Sequence, residues 1–470
     1  MVFSSMTFLL LFLPVTILLY ALRRNIKWKN GVLLIASLFF YAWGEPVYIL
    51  LMLISTGINY LCALGIDRSG SAKNARKLWL FIGVTASMVF LIWFKYAAFM
   101  VNSFAGVFSL PYHMAEKKLP IGISFYTFQV LTYTVDVYRK KAAVQKNPAR
   151  LLLYVSCFPQ LIAGPIVQYA DVAGMLDDRP FNSRRFSEGA RRFAVGLSKK
   201  VILANLCGSA ISHIDPADAS TVVSFAGAWY VALMYTFQIY FDFSAYSDMA
   251  IGLGRLFGFD YKENFNYPYV SGSITEFWRR WHISLGSFFR DYVYIPLGGS
   301  RCSVRRTIFN MMVVWSLTGF WHGASWNFIL WGMYYGLLLI TERFVIGRER
   351  LNKLPYLLRA PAIFVLAVIG WVLFYHTDLS LAARQLCAMI GIGNHLQLVD
   401  PLTAAVVRKY SVLPLMALIA AMPVLPAVRK LADDNRVTRA LSYVAATVLM
   451  LLSLVFLVGQ SYNPFIYFRF

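Results

Sequence analysis

The sequence predicts an all-α polytopic membrane protein with about eleven transmembrane helices, plus re-entrant or interfacial helices, and three observations carry that prediction. Hydrophobic residues make up 59% of the chain and charged residues only 14%, far below the roughly 25% of soluble domains; the mean hydropathy is +0.59. Aromatic residues reach 16%, with 12 Trp and 28 Tyr, the rings that anchor helices at membrane–water interfaces. The formal charge of +22 comes largely from Lys and Arg in short loops between apolar runs, a positive-inside pattern rather than a nucleic-acid surface.

Each element follows from that reading. Residues 2–22 are apolar, have no basic n-region and are followed by Arg23, Arg24, Lys27 and Lys29, so they read as a first transmembrane helix with its N-terminus outside, not as a signal peptide. Residues 32–43 and 47–64 form a hairpin about Gly44-Glu-Pro46, and the loop that follows is basic again. Residues 78–94 and 121–137 are the next two crossings. Residues 151–167 are apolar but carry Pro159, Gly164 and Pro165, which predicts a kinked or re-entrant segment. Residues 184–200 suit either a helix lying in the interface or a plain connector. Residues 222–240 span, and run into a segment where Asp242 and Asp248 interrupt an apolar context.

The stretch 277–299 is too polar to span and too aromatic for a solvated loop, so it is expected to dip partway into the membrane and line a cavity. Read as one helix, it sets Trp278, Trp281, Leu285, Phe288, Phe289 and Tyr292 on an apolar arc, with Arg279 and Arg290 on a neighbouring basic face and His282 on the border. About thirty-five residues separate the basic residues near Arg306 from those near Arg343, room for two crossings of roughly seventeen residues. Their midpoint puts His322 near the outer end of a helical hairpin. Spans at 361–375, 413–428 and 441–458 complete the chain, with its aromatic tail outside.

The five cysteines are scattered, with no zinc spacing, and no nucleotide-binding or serine-hydrolase motif occurs, so neither a disulfide nor a metal is expected. What remains is two of the six histidines. A titratable ring in an apolar run is costly, which makes His322 a candidate general base, and His282 stands beside arginines suited to phosphate. His113, His213, His376 and His395 are expected to be hydrogen-bonded packing residues. A transporter would show paired broken segments in two repeated halves, whereas the interruptions here cluster in mid-chain. A non-catalytic secretion scaffold would need no core histidine.

Several long motifs then stand in one order: the Met1–Ser5 opening, Leu119-Pro-Ile-Gly-Ile-Ser-Phe-Tyr-Thr-Phe-Gln129, Phe158-Pro-Gln-Leu-Ile-Ala-Gly-Pro165, Tyr240-Phe-Asp-Phe-Ser-Ala-Tyr-Ser-Asp-Met249, both histidine motifs and the aromatic tail. In these the chain resembles the membrane-bound O-acyltransferase (MBOAT) family, in its branch of alginate O-acetylases and related polysaccharide O-acetyltransferases; Ala245 stands where that branch has glycine. The resemblance implies a single membrane domain over 1–470, with a catalytic core at about 119–345 around a central tunnel. It implies O-acetyl transfer from acetyl-CoA at the cytoplasmic face of the inner membrane to a hydroxyl acceptor, with no permanently bound cofactor. His322 and His282 fall on the catalytic histidine and its paired polar residue. Arg279, Arg280 and Arg290 are candidates for holding the coenzyme phosphates. By likeness to a short membrane peptide that accompanies the D-alanyl transferases of the family, Tyr467 is a candidate acyl relay to an extracytoplasmic SGNH-type acetyltransferase partner that serves the polysaccharide. D-alanyl transfer to teichoic acid, or peptidoglycan or cellulose acetylation, are the alternatives.

Overall fold

The computed structural model describes residues 1–162, 164–180, 182–214, 224–392, 397–424, 436–459 and 465–466. Among these residues there are helices and no strands, as expected for a chain whose backbone polar groups must be satisfied within each segment. The chain divides into two compact units, Met1–Ala194 with Tyr246–Lys262, and Val195–Ala245 with Glu263–Phe470.

In the first unit, the helices Ile26–Gly44 and Ile49–Arg68 follow one another across the turn at Gly44–Pro46, but Ile49–Arg68 packs chiefly on Lys73–Leu91 and Ile123–Tyr138 rather than back along its predecessor as the hairpin reading expected. Asn25 caps Ile26–Gly44 by accepting from the Lys27 N–H at 2.8 Å. Lys73–Leu91 runs on to Val107, well past its expected end. Three of these helices are bonded through polar side chains in an apolar setting: Asn59 donates to Ser87 at 2.9 Å and accepts from Thr134, on the helix Ile123–Tyr138, at 2.8 Å. The helix Pro148–Ser156 stops at Cys157 and a single turn, Phe158–Leu161, follows, as Pro159 dictates. Phe158 packs edge-on against Phe12 at 5.3 Å, within a cluster that includes Phe8 and Phe40.

The second unit is built around a helical hairpin. Val304–His322 and Trp326–Ile340 lie so close that a Cβ on Gly319 would stand 2.1 Å from the Phe328 carbonyl oxygen, and one on Gly332 would stand 2.2 Å from that of Trp315. Only glycine permits this approach, and it fixes where the hairpin's tip falls. Trp331, Tyr335 and Trp371 pack beside it, each almost completely buried.

By length and composition six helices of the described residues are able to cross a membrane: Ile49–Arg68, Lys73–Val107, Ser183–Ser212, Trp326–Ile346, Tyr356–Tyr375 and Val437–Gly459. The bent pair Pro401–Lys409 and Leu413–Ala421 makes a seventh if it is one span. The multi-pass reading holds, while the count of about eleven is not reached by this measure. Ile26–Gly44, Phe225–Leu256 and Val304–His322 are long enough but carry Lys29, Asp242 or Arg306 and other polar groups that lower their hydropathy. In the other direction, 184–200 is no separate interfacial piece, because its helix continues unbroken to Ser212.

Candidate active site

His322 is the last residue of its helix, released by the extended Gly323. Its ring is buried among aromatic edges, with centroids 5.0 Å from Trp331 and 5.1 Å from Phe374. It lines a cavity of about 20 Å³, together with Ile239, Asp242, Phe243, Trp281, Trp371, Phe374 and Ile466. The histidine thus faces a mainly apolar space from the hairpin tip that the spacing of basic residues indicated.

The expected single helix through 277–292 does not form. Ile274–Arg280 and Ile283–Phe289 are two short helices, broken at Trp281 and His282. His282 has φ 44° and ψ 54°, a left-handed conformation that costs a non-glycine residue about 1–3 kcal/mol and gathers at functional sites. The break rather than a helical face therefore aims both rings. Trp281 turns to the cavity and lies 4.6 Å from Trp371, while His282 meets Phe243 edge-on at 4.6 Å.

One side chain fixes the tautomer of His282. Asn264 Oδ1 accepts the Ser284 backbone N–H at 3.0 Å, so it is an acceptor, and His282 Nδ1 at 3.2 Å must be the donor to it. That leaves a lone pair on Nε2, which is buried and has no hydrogen-bond partner among the described residues. His282 does not line the cavity with His322. The two rings share a neighbour in Trp321, at 5.9 Å and 5.0 Å respectively.

The arginines are not brought to the cavity. Arg280 pairs with Glu276 at 2.8 Å, and Arg290 pairs with the adjacent Asp291 at 2.7 Å. Arg279 is exposed. Tyr467 lies outside the described residues, as does His395, but the residues just before Tyr467 do not. The Ile466 N–H donates to Asp242 Oδ2 at 2.7 Å, and Phe465 is buried beneath Lys200, whose Nζ stands 4.7 Å from its ring centroid. Lys200 also pairs with Asp242 Oδ1 at 2.5 Å, and both side chains are buried. Of the other histidines, His376 bonds Gln385 at 2.6 Å and His213 bonds the Ser209 carbonyl at 2.6 Å.

This geometry, a buried histidine on the wall of an apolar cavity, suits proton transfer in a dry site. The model of the membrane-bound O-acyltransferase family matches residues 78–381. The chain belongs to that family. It is similar over its whole length to a probable alginate O-acetylase, AlgI, of Pseudomonas putida, with 38% identity covering 100% of both chains. A peptidoglycan O-acetyltransferase of Helicobacter pylori is 36% identical over 84% of this chain and 80% of its own. More distantly, a teichoic acid D-alanyltransferase of Bacillus subtilis is 28% identical over 52% of this chain and 63% of its own. This multi-pass membrane O-acyltransferase therefore carries its two motif histidines in one unit, on either side of Trp321 contacts.

Sequence reasoning missed two residues of this acyltransferase. Asp242 was visible as a carboxylate in an apolar run, but its partners Lys200 and Ile466 lie 42 and 224 residues away. Asn264 gave no local signal, because its role comes from the turn at His282.

Proposed function

We propose that the enzyme moves an acetyl group from acetyl-CoA, a cytoplasmic thioester, across the inner membrane for O-acetylation of an extracytoplasmic polysaccharide, of the alginate type first. The observation that carries the chemistry is His322 on the wall of an apolar cavity whose other wall includes the chain's own C-terminal Ile466. In this reading neutral His322 takes the proton of the acceptor hydroxyl as its oxygen attacks the thioester carbonyl. The tetrahedral intermediate then collapses, the C–S bond breaks and the proton passes to the departing thiolate. The Trp331 and Phe374 rings exclude water, which would otherwise hydrolyse the donor.

A space of about 20 Å³ holds about one water, so an acetyl group on a pantetheine arm needs a wider cavity. Ile466 forms one wall of this cavity and is held there by its N–H bond to Asp242. Tyr467 follows directly and is the proposed relay, receiving the acetyl as an ester that an SGNH-type partner collects for the polymer. Arg279, Arg280 and Arg290 are the proposed contacts for coenzyme phosphate, which requires the latter two to exchange Glu276 and Asp291. With the basic loops in the cytoplasm, both termini are extracytoplasmic.

The full-length likeness to the P. putida protein supports alginate as acceptor, and the H. pylori likeness supports peptidoglycan as the second reading. Membranes bearing the chain, given acetyl-labelled coenzyme A and each polymer in turn, decide between them. Labelled ester on neither polymer, with the partner supplied, overturns the acetyl-transfer reading.

A further inference from the structure

The helix Ile274–Arg280 is only seven residues long, too short to hold itself, so its ends need ties from elsewhere. At its C-terminal end the chain closes on itself: the Asn266 N–H donates to the Arg280 carbonyl at 2.9 Å, and the Ile283 N–H to that of Asn264 at 2.9 Å. Residues 264–284 are therefore one closed loop, with Trp281 and His282 at its base. At the far end the three leading N–H groups are all taken. Ser273 Oγ accepts that of Glu276 at 3.0 Å, and the Glu342 carboxylate accepts those of Ile274 at 2.6 Å and Thr275 at 3.2 Å. Ser273 belongs to the loop; Glu342 does not.

Glu342 stands in the π-helical turn Thr341–Ile346, which ends the helix begun at Trp326. It is half-buried, makes no ion pair among the described residues, and spends its hydrogen bonds there on this loop. The same helix holds His322 near its other end, where Trp331 meets the imidazole edge-on at 5.0 Å and Gly332 admits the close approach of Gly319. A rise of about 1.5 Å per residue sets Glu342 about 16 Å along the axis from Trp331. Between them Trp278 packs on Tyr335 at 4.7 Å and on Trp331 at 5.5 Å. Apolar packing is non-directional, so sliding along the axis is left to the hydrogen bonds to prevent.

We propose that Glu342 is a positioning residue for acyl transfer: it fixes the loop 264–284 against the helix Trp326–Ile346, and so sets Trp281 and His282 against His322. The left-handed backbone of His282 supports this, because a strained non-glycine residue persists only where its surroundings over-determine it. Asn264 fixes that turn from within the loop, and Glu342 fixes the loop from outside. The inference rests on the reading of Trp281, His282 and His322 as parts of the transfer site.

Membranes bearing the full chain, given acetyl-labelled coenzyme A at varied concentration and whichever polymer the wild type acetylates, separate this role from a plain stabilising one. Loss of folded protein lowers the apparent kcat and leaves donor KM alone, whereas a displaced turn raises KM. Glu342→Ala should raise donor KM about tenfold, the worth of one hydrogen bond to a charged group. Glu342→Gln keeps the reach without the charge and should stay within about twofold of the wild type. Glu342→Asp keeps the charge and shortens the reach, so its KM should rise as well, and it gives the answer even if the alanine variant does not fold. An unchanged KM in Glu342→Asp, or a raised KM in Glu342→Gln beside a normal one in Glu342→Asp, overturns the assignment. His282→Ala, measured in parallel, tells the two readings apart: a raised KM there with an unchanged one in Glu342→Asp overturns the role of Glu342 alone, and an unchanged KM in His282→Ala overturns the site reading together with it.

Discussion

Asp242 holds Ile466: one carboxylate oxygen accepts the tail's backbone N–H at 2.7 Å while the other is paired with Lys200 at 2.5 Å. A single buried carboxylate thus ties the end of the chain to the middle of a 32-residue helix. Asp242→Asn strands the Lys200 charge and should cost about 3–5 kcal/mol, as removal of one partner of a buried pair does. Asp242→Leu with Lys200→Met should recover most of that stability, yet transfer should stay low because the tail has lost its anchor. Thermal melts and acetylation of the same preparations separate the two effects; full activity in the double variant would show the anchor to be dispensable.

His322→Ala should lower acyl transfer by at least about 100-fold, the lower end of what a positioned general base supplies. Its monodispersity and melting temperature should stay near wild type, because the ring packs at a cavity wall and its removal leaves the Gly319–Gly332 approach untouched. Acetylation near the wild-type rate in this variant would remove His322 from the mechanism.

At His282 the backbone and the ring are separable. The left-handed φ of 44° is strained for a side chain and free for glycine, so His282→Gly should be more stable than His282→Ala by about 1–2 kcal/mol. Both variants lose the ring and should lose transfer alike. Donor KM should rise at least as much as kcat falls, because His282 is outside the cavity wall. A glycine variant no more stable than the alanine one would mean that the strain at this break is not real.

The hairpin packing makes a contrast between two glycines of the chain. Gly319→Ala drives a methyl against the Phe328 carbonyl, whereas a Cβ on Gly31 meets nothing within 4 Å. The first should destabilise by about 1–3 kcal/mol, the usual range for overpacking, and lower transfer by shifting His322 at the helix end. Gly31→Ala should be neutral or slightly stabilising. Equal melting temperatures for the two would contradict the close backbone approach.

How far the sequence spoke for this molecule depended on the range of each interaction. Hydropathy is a property of each segment, so the multi-pass all-α class was evident, and so was the hairpin that ends at His322, which basic residues bracket on both sides. Span number was not, because polar residues such as Lys29, Asp242 and Arg306 sit in helices where they are satisfied by distant partners or by the helix end. The helical arc through Trp278 and Trp281 was a reasonable periodicity, but tertiary packing overrode it. Asn264 takes the Ile283 N–H on its carbonyl at 2.9 Å and the Ser284 N–H on its side chain at 3.0 Å, and so pays a helix break with two hydrogen bonds. No pattern in 277–292 itself encodes that partner.

The tail offers the sharpest test of the proposed relay. Phe465 is buried against Lys200 and Ile466 lines the cavity, so the backbone of the residue before Tyr467 is already anchored at the wall His322 faces. A merely interfacial anchor needs rings at the headgroup level, and would gain nothing from a buried ion pair that holds its first residues. A relay needs that hold, because a nucleophilic hydroxyl must be presented to a base at a repeatable distance. Tyr467→Phe keeps the ring and removes only the oxygen. Acetylation of the polymer should then fall at least about 100-fold, while acetyl-CoA binding stays at the wild-type level, since the lost group is the acceptor and not a donor contact. Tyr467→Ser, which restores a hydroxyl on a shorter stem, should not rescue transfer. If the phenylalanine variant acetylates the polymer normally, the tail is only a wall of the cavity, and the acceptor must reach His322 by another route.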